Sequence, residues 1–265
     1  MNEYLEESVK VGDLTIDHRV QRAAISMDKV DAMVKGFDSA AIGLITVSRR
    51  ENGEQVVIDG WHRVTAVRRL TSNQGEVPCR IFTGLTLQEE ARMFLHLNAT
   101  NQPKLFDRWK VRVTEGDPVA LEATETLRHF GWSVGNQVAD GVMVAIGSLE
   151  RIYSLSEKAQ IEPNLVHAVI MVITRAWGHN RYGVVSPIFE GLGRLIAEHG
   201  SKVNLATLIS TLKEYKGGPQ SLHQEARVLA GLRNIRIPMA VADLVTERYN
   251  KGKRTNELPP WRKRT

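Results

Sequence analysis

The segment "VVIDGWHRVTAV" (56–67) joins a predicted strand to a predicted helix. Its apolar run ends at Asp59 and Gly60, and a helical apolar pattern resumes after His62 and Arg63. The first N–H groups of a helix lack partners within it and lie at the positive end of its dipole. A glycine lets a ligand approach this backbone, and an arginine adds a permanent charge. Such a junction is typical of a phosphate-binding cradle.

Asp59 does not fit a bare anion site, because its carboxylate would repel a phosphate group. The residues alone leave three roles open. Asp59 could hold Arg63 or His62 in place, or it could bind a magnesium ion that in turn binds phosphate. It could instead cap the helix, with Arg63 at the surface. If the site is catalytic, Asp59 and His62 are the candidate bases, and Asp59 is the candidate metal ligand.

The segments on either side mix short strands and helices, which indicates an α+β fold with a mixed sheet. Ser26 is a predicted helix N-cap, the Asn-Gly turn in 51–54 predicts a hairpin, and Thr86 with Glu89 forms a capping-box pattern. The predicted strands are 9–16, 43–50, 55–59 and 77–82, and the predicted helices are 26–37, 61–70 and 86–98.

From residue 118 every segment shows helical spacing, punctuated by Gly, Pro or Asn. The sequence therefore predicts an α+β domain at 1–117, an all-helical domain at 118–250 and a basic tail at 251–265. The tail has one acid and six cations, which could follow a DNA backbone or could belong to a solvated chain end. The six are Lys251, Lys253, Arg254, Arg262, Lys263 and Arg264.

The composition excludes several classes of protein. No run approaches the roughly 18 apolar residues of a membrane span, and the acidic start "MNEYLEESVK" is unlike a secretory signal. Cys79 is the only cysteine, so neither an intramolecular disulfide nor a multi-cysteine zinc site is expected. We therefore expect a cytoplasmic protein with no membrane partner. The net charge of +5 permits a nucleotide or nucleic-acid partner without requiring one.

Two other stretches carry polar side chains suited to the same site. "DHRVQR" (17–22) ends in Gln21 and Arg22, directly after the first predicted strand. In "HLNATNQ" (96–102), Asn98 continues the apolar stripe of the preceding helix, so it should point inward and needs partners. Asn98 could be the helix C-cap or a ligand-facing amide, and Asn101 could serve the same site.

These three stretches, in this order, resemble the N-terminal ParB-like domain of the ParB/sulfiredoxin fold. That family has a "Q-R" motif, a "P-I/L-x-V" strand (here "GLITVSRR"), a "(D/G)G-x-(H/R)-R" phosphate motif (here "IDGWHR") and a helix ending in "E-N-x-x-R" (here "HLNATNQ"). The junction looks especially like the "DGQHR" motif of DndB-type proteins. It also looks like ParB-domain proteins of actinobacterial phages, which append a helical domain. The resemblance covers residues 9 to about 112.

The resemblance implies a nucleoside triphosphate, CTP or ATP, bound with magnesium, because ParB proteins use CTP as a clamp switch on DNA. It places Gly60, Trp61, His62 and Arg63 at the phosphates. It places Gln21 and Arg22 at the nucleotide or its phosphates, and Asn98 and Asn101 at the metal and triphosphate end.

The sequence departs from the family at three places. Leu97 replaces the glutamate before the asparagine, Asn101 replaces the arginine after it, and Trp61–His62 replaces Glu-Arg. The reactive cysteine of sulfiredoxin is missing from this turn, so reductase activity is not expected.

Three hypotheses follow. The first is a ParB-like, DNA-associated nucleotide-binding protein whose helical half and tail contact DNA or form a homodimer. The second is an enzyme that uses the same pocket as a nuclease, nucleotide hydrolase or phosphotransferase. The third is an inactive interaction module.

Overall fold

The computed structural model describes residues 4–98, 104–159, 164–252, 255 and 257–259. The chain forms two compact units, an N-terminal unit of residues 1–120 and a C-terminal unit of residues 121–265. In the parts of the chain that the structure describes, no helix is both long and apolar enough to cross a membrane.

A mixed sheet is the centre of the N-terminal unit, as the sequence predicted, and it has five strands where four were predicted. The strand order is β1-β5-β3-β4-β2, with β3 and β4 forming the predicted antiparallel hairpin, β5 parallel to β3, and β2 parallel to β4. The strands are β1 (Tyr4–Lys10), β2 (Leu14–Thr15), β3 (Ile45–Arg49), β4 (Gln55–Asp59) and β5 (Glu76–Thr83).

The helices of this unit are α1 (Met27–Lys35), α2 (Trp61–Thr71), α3 (Leu87–Leu97) and α4 (Leu105–Glu115). Two of them, α1 and α3, begin at the predicted caps, and α4 was not predicted. The Ser26 side chain caps α1 by accepting from the N–H of Lys29. Thr86 and Glu89 form both hydrogen bonds of the capping box at α3. Local sequence therefore determines where these helices start.

The single strand predicted at 9–16 is wrong, because a 3-10 turn at Val11–Asp13 separates β1 from β2. The guanidinium of Arg68 donates to the carbonyl oxygens of Val11 and Leu14, at 2.9 Å for Nε to Val11, and this holds the turn. Arg68 lies far along the chain, so a local pattern could not predict the break.

The sheet is covered on both faces. Val57 of β4 packs in the cluster that includes Val64 and Val67 of α2, whereas the next residue, Ile58, packs with Phe94 of α3 and Val111 of α4. This alternation follows from the two-residue period of a strand. Both faces of β4 are therefore buried, and its last residue delivers the chain to the start of α2.

Cys79 is buried in the first of these clusters, and burial raises the pKa of its thiol to about 11. It is a small core residue, as the sequence predicted.

An ion pair inside the N-terminal unit joins the hairpin to α3. The Glu90 side chain is fully buried, and Arg50, in the hairpin turn, donates to both of its carboxylate oxygens, with Nε 2.9 Å from Oε1. Arg50 also pairs with Asp17 at 2.9 Å. Hydrogen bonds from Arg19 above all, and then from Arg50, hold the pKa of Asp17 well below its usual range. The position of Glu90 in the first turn of α3 predicts only an interaction with the helix dipole, but its main role is to bind Arg50.

The C-terminal unit is helical, as predicted, apart from one two-stranded parallel pair formed by β6 and β7. Its first element is the part of α5 (Pro118–His129) that follows residue 120. The other elements are β6 (Ser133–Val134), β7 (Val142–Met143), α6 (Ile146–Ala159), α7 (Leu165–Trp177), α8 (Ser186–His199), α9 (Leu205–Lys213), α10 (Gly218–Arg233) and α11 (Ile237–Asn250). On α8, a Cβ at Gly193 would lie 2.5 Å from Cδ1 of Ile152, so this glycine allows close helix packing.

Arg50→Ala should lower the free energy of unfolding by about 3 kcal/mol, because it leaves the Glu90 carboxylate buried without its partner. Arg69→Ala, which removes the half-exposed pair with Asp31, is the control and should cost less than about 1 kcal/mol. Urea denaturation followed by circular dichroism measures both. Equal losses in the two variants would contradict a stabilising role for the buried pair.

Candidate functional site

A cleft lies where β4 gives way to α2, and it collects most of the side chains singled out from the sequence. Among the described residues, eight predicted ones line it: Gln21, Arg22, Asp59, Gly60, Trp61, His62, Arg63 and Asn98. Four further lining residues were missed: Ile25, Lys29, Met33 and Phe94. Asn101 lies outside the described residues.

Gly60 allows the sharp turn from the end of β4 into the start of α2. Its φ is +101°, a left-handed conformation that favours glycine, and a Cβ there would lie 2.6 Å from Cδ1 of Ile45. Gly60 is also the N-cap of α2, and no side chain caps this helix. The first turn of α2 therefore has N–H groups without a side-chain cap at the positive end of the helix dipole.

The Arg63 guanidinium is bound by the protein. Its Nη2 donates to Oδ2 of Asp59 at 2.8 Å, and its Nη1 donates to the carbonyl oxygens of Ile42 and Leu44 at 2.7 and 3.1 Å. Asp59 therefore takes the first of the roles proposed for it, holding Arg63. The arginine ties α2 to the chain leading into β3, and only part of its hydrogen-bonding capacity remains for a ligand.

Gln21 has a structural role in the same region. Its side chain is buried, and its amide nitrogen donates to the carbonyl oxygens of Val57, at 3.1 Å, and Ile58. These bonds fasten the segment after β2 to the end of β4. Gln21 thus positions its neighbour Arg22, which is half-buried at the cleft.

Arg22 and Asn98 meet across the cleft. Nη2 of Arg22 donates to Oδ1 of Asn98 at 2.8 Å, and the Asn98 amide nitrogen donates to the carbonyl oxygen of Phe94. Asn98 is buried and is the C-cap of α3, one of the two roles considered from the sequence, and its role as a ligand-facing amide stays a prediction. Because Arg22 is bound by a neutral amide, this hydrogen bond does not cancel its charge.

His62 is a hydrogen-bond acceptor here. Its Nε2 accepts from the backbone N–H of Ser26 at 3.2 Å, so that nitrogen carries no proton. Partial burial lowers the pKa of His62, the charges of Arg22 and Lys29 lower it further, and Asp59 opposes them. The neutral form of His62 is therefore favoured. Its lowered pKa agrees with Arg22 and Lys29 both facing the imidazole.

Trp61 is the first residue of α2 and lies partly buried against the core cluster on the α2 side of the sheet. The His18 ring meets its ring edge-on, with centroids 5.5 Å apart. Trp61 lines the cleft with an apolar surface and helps fix the segment that carries Arg22.

A magnesium ion would find few ligands. Within the described residues there is no group of three or more His, Cys, Asp or Glu side chains that could hold a metal ion. Asp59 is the one carboxylate among the described residues lining the cleft, and its Oδ2 already accepts from Arg63. Any ion there would depend mainly on ligand phosphates.

The predicted DNA-binding tail is only partly described. Lys251 is exposed at the end of α11, whereas Lys253, Arg254, Arg262, Lys263 and Arg264 lie outside the described residues. Leu258 is buried, and the Asn250 side chain bonds both its N–H and its carbonyl oxygen, at 2.8 and 2.7 Å. The tail is thus anchored to the C-terminal unit at Leu258.

Gly60→Ala should lower the free energy of unfolding by about 2–4 kcal/mol. Alanine is strained in the left-handed backbone conformation, and its Cβ would also collide with the Ile45 side chain. Gly53→Ala is the matched control, because Gly53 also has a positive φ but a Cβ there would meet nothing within 4 Å. It should cost only about 1–2 kcal/mol. Thermal and urea unfolding give both values, and equal costs would remove the steric part of this explanation.

The His62 pKa should lie below its ordinary value and rise in Lys29→Gln, because that change removes one of the opposing charges. The contribution of His62 to stability is thus fully present above its unfolded-state pKa, and it is lost as the pH falls through the lower, folded-state pKa. An NMR titration of the imidazole signals measures the shift. A pKa unchanged by Lys29→Gln would mean that Lys29 does not face His62.

Two solved structures resemble the chain: the C2221 form of a Pnob8-like ParB-N domain (15% identity, 94% of this chain and 99% of that chain, TM-score 0.42) and a pNOB8-like ParB N-domain (16%, 91% and 95%, TM-score 0.40). No curated protein matches. A family model matches residues 17–260. Because that match spans most of the chain, the chain belongs to DUF6551, a family of unknown function.

Proposed function

We propose that the cleft between β4 and α2 binds the phosphate groups of a nucleotide, and that the protein works in association with DNA. The observation that carries the proposal is the convergence of Arg22, Lys29 and the uncapped first turn of α2 on one cleft. Backbone N–H groups and cations meeting at a helix N-terminus are the usual means of binding phosphate.

The charge balance of the cleft favours an anion. Arg63 and Asp59 neutralise each other through their ion pair. Arg22 donates to an amide, and no described residue forms an ion pair with Lys29. Of the three cations and one carboxylate that line the cleft, two positive charges are left uncompensated. A bound phosphate would supply the missing negative charge.

A nucleotide fits better than an inorganic anion, because the cleft also has an apolar lining. Ile25, Met33 and Trp61 line the same space as the cations. Sites for small molecules generally combine apolar walls with a few placed polar groups. The resemblance to ParB-like domains supports CTP or ATP as the nucleotide.

The contacts of the two candidate catalytic residues support binding more than catalysis. Nε2 of His62 accepts from the N–H of Ser26, and Oδ2 of Asp59 accepts from Arg63. If magnesium accompanies the nucleotide, Asp59 would hold it, and the ion would neutralise phosphate charge. Hydrolysis, nuclease or phosphotransfer activity, and the inactive module, remain predictions without a contact that favours them.

For DNA, the proposal relies on the basic tail. Its charges follow α11, and the anchored Leu258 holds the chain close to the C-terminal unit. A segment with six cations and one acid favours contact with a phosphate backbone. Formation of a homodimer on DNA remains a prediction.

Calorimetric titration with CTP, ATP, ADP and GTP, with and without magnesium, tests the cleft. Arg22→Gln and Lys29→Gln should each weaken nucleotide binding by about 10- to 100-fold, because each removes a charged donor worth roughly 1.5–3 kcal/mol. Lys35→Gln is the control, since it removes a lysine from the same helix as Lys29 but outside the cleft. Arg63→Ala is a poor probe, because it also breaks three hydrogen bonds within the protein.

Two outcomes would contradict the proposal. If no nucleotide binds, the cleft is not a nucleotide site and the interaction-module hypothesis is favoured. If binding survives in both cleft variants, the nucleotide binds elsewhere. Product release measured in the same samples then separates a binding protein from an enzyme.

A further inference from the structure

A buried glutamate in the C-terminal unit is surrounded by three arginines. Glu190 lies on α8, and its side chain is 1% exposed. Oε1 accepts from Nε and Nη2 of Arg194, at 3.1 and 2.9 Å, and from Nη2 of Arg236 at 3.2 Å. Oε2 accepts from Nε of Arg151 at 3.0 Å. The arginines come from α6, α8 and the residue before α11, so three segments meet here.

The number of arginines exceeds what Glu190 requires. A buried carboxylate needs a counter-charge and hydrogen-bond donors, and Arg194, one turn along the same helix, supplies both. Arg151 and Arg236 bring the cluster to three positive charges against one negative charge, a net charge of +2. Like charges held this close repel one another, so a structural role alone does not account for the two extra arginines.

The two extra arginines are also the accessible ones. The exposed side-chain fraction is 50% for Arg151 and 60% for Arg236, compared with 27% for Arg194. An arginine has five N–H donors, and the contacts made by described residues use only some of those on Arg151 and Arg236. Both side chains therefore present unused donors and uncompensated charge to solvent.

The cluster is fixed in place before any partner binds. Nη2 of Arg151 donates to Oγ of Ser148 at 3.1 Å, and this hydroxyl in turn bonds Oγ of Ser186 at 2.7 Å. Arg236 is the N-cap of α11, and no side chain caps that helix, so the positive end of a 14-residue helix starts at the same residue. Pre-ordered guanidinium groups lose less entropy when they bind an anion.

We propose that Arg151 and Arg236, held by Glu190, form a surface that binds the phosphate backbone of a nucleic acid. The planar guanidinium matches phosphate oxygens, and an excess charge beside a helix N-terminus suits an anion. A nucleic acid is favoured because the same unit ends in the basic tail, at the far end of α11.

This inference rests on the proposed association with DNA but not on nucleotide binding in the cleft. It adds a folded contact surface to the tail residues. The two proposals are therefore tested separately. Nucleotide affinity tests the cleft, and DNA affinity tests the Glu190 arginine cluster.

Fluorescence anisotropy of a labelled 20-base-pair duplex with the full chain, over a range of salt concentrations, tests the cluster. The double variant Arg151→Gln/Arg236→Gln keeps the Arg194–Glu190 pair, so it should remain folded. It should bind DNA at least about 10-fold more weakly, with the salt slope reduced by about 2, since each phosphate contact contributes about 0.9. Its nucleotide affinity should equal that of the wild type.

The control variant is Arg128→Gln/Arg181→Gln, which removes the same charge from one-to-one surface pairs with Glu125 and Asp140. It should change the affinity by less than about threefold. The proposal is overturned if the full chain binds no DNA, if the cluster variant binds as tightly as the wild type, or if the control loses as much. It is also overturned if poly-glutamate or inorganic phosphate competes as well as an unlabelled duplex, because the partner is then an acidic protein or a free anion.

Discussion

The positive φ of Gly60 is the constraint on which the N-terminal unit depends. One residue turns the chain from the end of a strand buried on both faces into the first turn of α2. A side chain there would meet Ile45, so the turn can be this tight only with glycine. Because no side chain caps α2, the positive end of the helix is left for a ligand. The location of the cleft follows from this single backbone conformation.

Arg63, three residues after Gly60, has a structural role in the cleft, and the unpaired positive charges belong to other residues. Arg63 is held by Asp59 and by two carbonyl oxygens, which fixes α2 against the chain entering β3. The free positive charge belongs to Arg22 and Lys29, on the segment and helix that follow β2. That segment is fastened by Gln21 to β4, and by Asp107, which accepts from the N–H of Ala23 at 2.9 Å. In the proposed site, structural and ligand-binding roles are thus divided among neighbouring polar residues.

Features set by nearby residues could be predicted from the sequence. The hairpin, the Ser26 cap and the capping box at Thr86 depend on residues a few positions apart. The inward position of Asn98 followed from its place on an apolar stripe, and burial confirms it.

Features set by distant residues could not be predicted from local patterns, and the meeting of residues 21–22, 59–63 and 98 at one cleft was expected from the family resemblance. Lys29 reaches the cleft only because α1 packs beside α2, and Glu90 binds an arginine forty positions away. The Glu190 arginine cluster likewise joins three separate segments. In each case a charged residue looks like an ordinary surface residue until its tertiary partners are known. A periodic pattern identifies the face of a helix but not what packs against that face.

Backbone amide NMR during a titration with nucleotide tests the central claim most directly, because it reports on the first turn of α2 itself. The account predicts that the amide signals of Trp61, His62 and Arg63 shift with the same saturation curve, and that the His62 imidazole gains a proton more readily as phosphate approaches. Saturable shifts confined to other parts of the chain, with these three amides unchanged, would contradict it.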